Sequence, residues 1–193
     1  MTGPAAFDYV FAVPGKTTAQ DYLRHAFVAG DGEFGYRNHV VGVLHDDVVA
    51  AGAAWSGHSN MRFAAAAVRQ ILRVYGITTG IGVITRGLRV ESIVQPPRRD
   101  CCYVAHLGVR PDLRGRGLGE SLVRHLLAGG HRHQLAHAAL DVAVTNPRAQ
   151  ALYERMGFKV TRELPSRLSN EQATVADHRR MELRLTDAAE AGR

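Results

Sequence analysis

VRPDLRGRGLGESLVRHLL, residues Val109 to Leu127, sets three glycines and two arginines into the six positions from Arg114 to Gly119. A strand-like run, CCYVAHLGV, ends just before them, and Pro111 stops its continuation. A helix-like run begins just after, with Leu118, Leu122 and Leu126 beside Val123 and Leu127, and it is expected to end at Gly129-Gly130. Amides at a helix start have no internal partners and carry the positive end of the helix dipole. A loop stripped of side chains there can wrap a phosphate group, and Arg114 and Arg116 add charge beside it. The alternative is an ordinary glycine turn between strand and helix.

Spacing excludes two phosphate loops. A nucleoside-triphosphate loop needs Gly-Lys-Ser/Thr, whereas Gly119 is followed by Glu120 and Ser121. A dinucleotide fingerprint needs glycine where Glu120 or Leu122 stands.

Working outward, the downstream half is regular. AALDVAV alternates as a strand, Asn146 is placed to cap a helix and Pro147 to occupy its first position. Ala149, Leu152, Tyr153 and Met156 form that helix's apolar stripe, Gly157 stops it, and FKVTREL and RRMELRL read as two closing strands. Upstream, Phe7, Tyr9, Phe11 and Val13 alternate, predicting a first strand ended by Pro14-Gly15. Thr17 and Gln20 give a capping-box pattern for a helix burying Ala19, Tyr22, Leu23, Ala26 and Phe27 and closing at Gly30. NHVVGVLHDDVVAAGAAWSG predicts a hairpin turning at His45-Asp46-Asp47. From Ser59 or Asn60 an amphipathic helix runs to Gly76, with Met61, Ala64, Ala65, Val68, Leu72 and Tyr75 inward and Arg62, Arg69 and Arg73 outward. A second helical stretch carries Ile81, Ile84, Leu88 and Val94 before the stiff connector Pro96 to Asp100.

The chain of 193 residues, 46% hydrophobic, fits a single domain over 1–187, with a frayed tail at 188–193. Its formal charge of +6 favours an anionic ligand, yet the arginines are dispersed and aromatics are only 7%, which argues against a nucleic-acid-binding surface. Adjacent Cys101 and Cys102 are poorly placed for a disulfide, so a reducing, cytoplasmic setting is expected. No run is long and apolar enough for a membrane span. His131, His133 and His137 fit no usual zinc spacing, and no metal is expected.

The spacing of Arg114, Gly117 and Gly119 after LGVRP, followed by NPRAQALYERMGF from Asn146 to Phe158, resembles the two signatures of the GNAT superfamily of acyl-CoA-dependent N-acyltransferases. The order of strands and helices is similar to that family's over nearly the whole chain, apart from residues 59–100, a helical insertion between the third and fourth strands. The implied fold is α/β (α+β): a mixed, mostly antiparallel central sheet flanked by helices and splayed between strands 4 and 5. The resemblance further implies that acetyl-CoA is the donor. Its pantetheine arm would pair with the backbone at Leu107, Gly108 and Val109 beside a bulge. Its pyrophosphate would lie on the amides of Arg114, Gly115, Arg116, Gly117, Leu118, Gly119 and Glu120, with Asn146 and Ala149 along the arm's other side and Tyr153 facing the sulfur.

Acyl transfer to an amine needs a base for the amine proton and a donor for the departing thiolate. Tyr153 suits the second task, since a phenol stays protonated near neutral pH. Core packing is the competing reading of a tyrosine on that stripe. His106 on the phosphate strand is the candidate base, with Glu91, Tyr103 or a water chain as alternatives. Trp55, Phe34 and Tyr36 are candidates to line an acceptor pocket, against ordinary packing. The expected activity is N-acetylation of a small-molecule or peptide amine. The rivals are a non-catalytic acyl-CoA-binding module and, behind it, a basic nucleic-acid-binding protein. The insertion helix is expected either to meet a second subunit, making a homodimer, or to cap the acceptor site.

Overall fold

The computed structural model describes residues 4–185; the expected tail at 188–193 lies outside them. The elements in order are α1 (Pro4–Phe11), α2 (Ala19–Ala29), β1 (His39–Leu44), β2 (Asp47–Trp55), α3 (Asn60–Val90), β3 (Cys101–Val109), α4 (Leu118–Arg132), β4 (His137–Ala143), α5 (Pro147–Arg155), β5 (Lys159–Leu164) and β6 (His178–Arg184). They build a six-stranded sheet in the order β1-β2-β3-β4-β6-β5. Every neighbouring pair is antiparallel except β3 with β4. This is the mixed, mostly antiparallel sheet expected, with one strand fewer. The long helix falls between β2 and β3, strands counted third and fourth in the sequence.

The missing strand is the first. Residues Phe7 to Phe11 are helical, burying Ala6, Tyr9 and Val10 at helical spacing. The apolar run fits both periods, and tertiary partners decide between them. The carbonyls that a helix leaves open at its end are each taken by a distant side chain. Asn170 Nδ2 donates to Tyr9 O at 3.0 Å, Arg86 Nε to Val10 O at 2.9 Å and the Tyr75 hydroxyl to Phe11 O at 2.6 Å.

Two of those donors belong to α3, which breaks at Gly76 (φ 72°) into two helical halves, as the glycine predicts. Its inward face differs from the expected stripe. Phe63, Ala66, Gln70 and Ile71 are buried with Tyr75, while Met61 is 83% exposed. A run of alanines gives little contrast between faces, and the rotation is fixed instead by Phe63 and by Gln70, whose amide donates to Asp31 O and Oδ1, both at 3.1 Å. At α2 the cap moves by one residue: Thr18 Oγ1 accepts from Asp21 N at 3.1 Å, and Asp21 closes the capping box in place of Gln20. The α4 helix runs through Gly129 and Gly130 to Arg132. The hairpin turn has positive φ at His45 and Asp46, as its polar pivot requires.

One face of the sheet packs Val104, Leu140, Val142 and Met181 against Leu122, Val123, Leu126 and Leu127 of α4 and Tyr153 of α5. The other face carries Cys101, Tyr103 and Ala139, and α1, α2 and α3 form a further cluster around Tyr22, Tyr75 and Val83. Burial pushes the Cys101 and Cys102 thiols up to about 12 and 11, so both stay protonated and unreactive.

His178 on β6 is 1% exposed, and burial holds its imidazole below the usual 6.5. Below that pH the unfolded chain takes up a proton that the folded chain resists. Stability is therefore complete above about pH 6.5 and declines as pH falls, by at most about 1.4 kcal/mol per pH unit for this one group. Urea unfolding at pH 7.5 and 5.5 is expected to show the decline, and His178→Gln to flatten it.

Candidate active site

The pairing of β3 with β4 lasts for three residues only, Cys101↔His137, Cys102↔Ala138 and Tyr103↔Ala139. Beyond Tyr103 the strands part, and β4 goes on pairing with β6 alone as far as Ala143↔His178. The edge of β3 facing β4 is thus unpaired over residues 104–109. A buried cluster marks the fork. Asp141 Oδ2 accepts from the Tyr103 hydroxyl at 2.8 Å and from Arg180 Nη1 at 2.7 Å, and the Arg180 guanidinium lies 5.1 Å from the Tyr103 ring centre. Burial raises the Asp141 carboxyl, against the pull of Arg180 and of the Tyr103 hydroxyl. The Tyr103 hydroxyl is itself held well above its ordinary value, by burial first and by Asp141 next. Tyr103 is therefore a fixed hydrogen-bond donor and a poor base.

Three residues further on, β3 bulges. Ala53 faces Ala105 and Ala51 faces Gly108, so Gly52 stands opposite both His106 and Leu107. His106 has φ +55°, a left-handed conformation uncommon outside glycine. A Cβ at Gly52 would come within 2.8 Å of Leu107 Cδ2 and 3.1 Å of Leu122 Cδ2, so a larger residue there would displace those leucine side chains. The bulge turns the His106 side chain into a set of partners from elsewhere in the chain. His39 Nδ1 donates to Gly35 O at 2.9 Å, so His39 Nε2 is an acceptor. His106 Nδ1 donates to it at 3.1 Å, which leaves His106 Nε2 facing Glu33 Oε1 at 3.2 Å. A single proton held between that nitrogen and the Glu33 carboxylate would join the two. Phe34 stacks on the imidazole at 5.0 Å, and Trp55 packs at 5.6 Å. Burial, above all, holds His39 below the usual histidine value, so it stays neutral and keeps its lone pair toward His106.

A cavity of about 270 Å³ opens at this point, lined by Phe7, Leu23, Phe27, Phe34, His39 and His106 among others, with Tyr103 and Asp141 also on its wall. Of the expected pocket residues only Phe34 lines it. Trp55 supports Tyr103 and His106 from behind, and Tyr36 is exposed beside Phe27. Glu91, just past α3, is electrostatically coupled to Glu33, and partial burial followed by that repulsion raises its pKa. No hydrogen bond links Glu91 to His106 among the described residues.

On the other side of the fork, Gly117 caps α4 with φ +81°, Gly115 has φ +82°, and among the described residues the amides of residues 115–120 have no backbone acceptor. A Cβ on Gly117 would meet nothing within 4 Å, so the loop faces open space. Arg148, which the sequence reading did not single out, has its guanidinium 3.3 Å from the Cβ position of Gly115 and adds a cation to the loop's rim. Arg114 Nε donates to Val109 O at 3.2 Å, tying the loop to the end of β3. Asn146 caps α5 as expected, its Oδ1 accepting from Ala149 N at 3.2 Å. Tyr153, 3% exposed, sets its ring against Phe158 at 6.1 Å, and burial pushes its hydroxyl up to about 12. Leu107, Gly108 and Val109 stand on the open stretch of β3, and Leu118, Gly119 and Glu120 form the first turn of α4.

The open edge of β3 therefore lies between a glycine loop and a titratable cluster. Residues 20–158 match the acetyltransferase (GNAT) family, and the chain belongs to it. A 5-NmdU N-acetyltransferase from Pseudomonas phage PaMx11 is 37% identical over 57 residues, 30% of this chain and 39% of that protein. An uncharacterized N-acetyltransferase of Schizosaccharomyces pombe (strain 972 / ATCC 24843) is 32% identical over 95 residues, 47% of this chain and 58% of that one. The matched stretch spans less than two thirds of either relative. Among solved structures, an N-acetyltransferase from Staphylococcus aureus Mu50 has a TM-score of 0.62 at 16% identity, over 86% of this chain and 80% of that one, a likeness of fold. Among the described residues no helix is long and apolar enough to cross a membrane.

The bulge makes a distinct prediction. A β-branched side chain at φ +55° is strained, so His106→Val is expected to lower unfolding free energy by about 1–3 kcal/mol, and His106→Gly by less. Equilibrium urea titration of the two variants measures the difference.

Proposed function

We propose that the protein transfers an acetyl group from acetyl-CoA to a primary amine by direct attack, with no acyl-enzyme intermediate. The observation that carries this reading is the unpaired edge of β3 over residues 104–109, set between the glycine loop and His106. An extended pantetheine arm supplies the hydrogen-bonding groups that an open strand edge lacks. Leu107, Gly108 and Val109 would pair with it. The free amides of residues 115–120, with Arg114, Arg116 and Arg148 at the rim, suit a pyrophosphate. Asn146 and Ala149 would border the arm from the start of α5.

The chemistry then rests on two groups. The neutral amine attacks the thioester carbonyl, a C–N bond forms and the C–S bond breaks. His106 Nε2 takes the amine proton, and the Glu33 carboxylate at 3.2 Å stabilises the imidazolium that results. His39 orients the ring by holding its other nitrogen. Tyr153, protonated throughout the neutral range, donates to the departing thiolate. Tyr103 is spent on Asp141, and among the described residues Glu91 makes no hydrogen bond to this cluster, which favours His106 over both.

Calorimetry is expected to show acetyl-CoA binding to the wild-type protein and no measurable binding to Gly117→Val, whose side chain would enter the space facing the loop. Tyr153→Phe is expected to keep acetyl-CoA affinity and lose about 10²–10⁴-fold in kcat, while His106→Gln loses a similar factor. Wild-type turnover in Tyr153→Phe, with chemistry rate-limiting, would remove the hydroxyl from the mechanism.

A further inference from the structure

The cavity beside His106 is built from side chains that say what can enter it. Phe7 comes from α1, Leu23 and Phe27 from α2, and Phe34 from the loop before β1, giving an apolar wall from three parts of the chain. The two imidazoles of His39 and His106 close one end. None of the lining residues is lysine or arginine, so a substrate carboxylate would meet no counter-charge there. Asp141 is the one lining carboxylate, and Arg180 and the Tyr103 hydroxyl already engage it. A second ammonium, as in a polyamine, would therefore sit against hydrocarbon and be strongly disfavoured. Beyond the wall, acidic groups lie at two places: Glu33 at the His106 end, with Glu91 electrostatically close to it, and Asp8, which lines the adjoining pocket together with the offsetting cation Arg24. That polarity draws one cationic amine head to one end and leaves the rest of the molecule to the apolar wall.

We propose that this cavity is the acceptor site and that it takes a small primary amine carried on a compact aromatic or branched aliphatic group, its nitrogen at His106 and its apolar part among Phe7, Leu23, Phe27 and Phe34. The inference rests on the N-acetyltransferase reading and gives it a substrate class. At about 270 Å³ the cavity is smaller than most drug-sized sites, of roughly 300–1,000 Å³, and matches a single ring or a short branched chain. The ammonium head is held at the His106–Glu33 end, and the apolar surroundings favour loss of one proton there, leaving the neutral amine that attacks. In the transfer the neutral amine nitrogen bonds to the acetyl carbon as the C–S bond breaks, Tyr153 protonates the departing thiolate so that coenzyme A leaves as the thiol, and the nitrogen's second proton passes to His106 Nε2, the first having left the ammonium for solvent beforehand.

The test uses the intact protein in two assays. Thiol release from acetyl-CoA is measured with propylamine, butylamine, 3-methylbutylamine and 2-phenylethylamine, and with spermidine, glycine and a short peptide with a free N-terminus. The expected result is a rise in kcat/KM of about three- to fourfold per added methylene until the cavity is filled, with spermidine, glycine and the peptide at least tenfold poorer. In parallel, Trp55, the chain's single tryptophan, reports acceptor binding without acetyl-CoA, since its ring lies 5.6 Å from that of His106. Its emission is expected to change on titration with 3-methylbutylamine and to stay constant with glycine. Phe27→Lys, at a side chain 45% exposed and so tolerant of change, should cut kcat/KM for 2-phenylethylamine at least tenfold while acetyl-CoA affinity holds. Leu23→Ala should shift preference toward bulkier amines. A flat alkylamine series, or fastest release with spermidine or the peptide, in a protein that binds acetyl-CoA, overturns the acceptor class and leaves the acetyltransferase reading standing. Failure to bind acetyl-CoA at all removes that reading and this inference together.

Discussion

Everything in the active site depends on where β3 lets go of β4. The buried Tyr103–Asp141–Arg180 cluster fixes that point, since Tyr103 belongs to the last paired rung and Asp141 lies just beyond it on the partner strand. Removing one member of such a buried pair leaves the other charge uncompensated, typically at about 3–5 kcal/mol. The fork is thus expensive to close or to move. Its open edge, the cavity wall and the bulge at His106 follow from its position.

The second constraint acts on His106. Its left-handed backbone is tolerated in the middle of a strand because its side chain is held on several sides, by His39, Glu33, Phe34 and Trp55. Those partners come from β1, from the loop before it and from β2, and that loop is in turn anchored by α3 through Gln70 and Arg69 to Asp31. The helix between β2 and β3 also satisfies the last carbonyls of α1, the helix that brings Phe7 to the cavity. It is therefore part of the framework that holds the cavity wall in place.

Sequence and structure agree best where local rules are strict. The strand Cys101–Val109, the turn at Arg114 to Gly119 and the Asn146-Pro147 helix start are each specified by residues close in the chain. The cavity side is specified by contacts between residues far apart in the chain. Residues Phe7 to Phe11 alternate like a strand, and only donors 64, 76 and 161 residues away make them a helix. Glu33 and His39 carry no motif and gain meaning only when the bulge brings His106 to them, 73 and 67 residues along. Arg148 was the exception, legible in principle because it sits inside a recognised signature as a cation one position past the helix-starting proline.

On the proposed reading, the free edge of β3 and the loop before α4 together receive acetyl-CoA. Amide hydrogen exchange with and without acetyl-CoA tests it most directly, because unpaired backbone groups are what the donor would cover. Slower exchange is expected at residues 104–109 and 115–120, with the β1–β2 hairpin unchanged. Protection confined to other parts of the chain, at saturating acetyl-CoA, would contradict it.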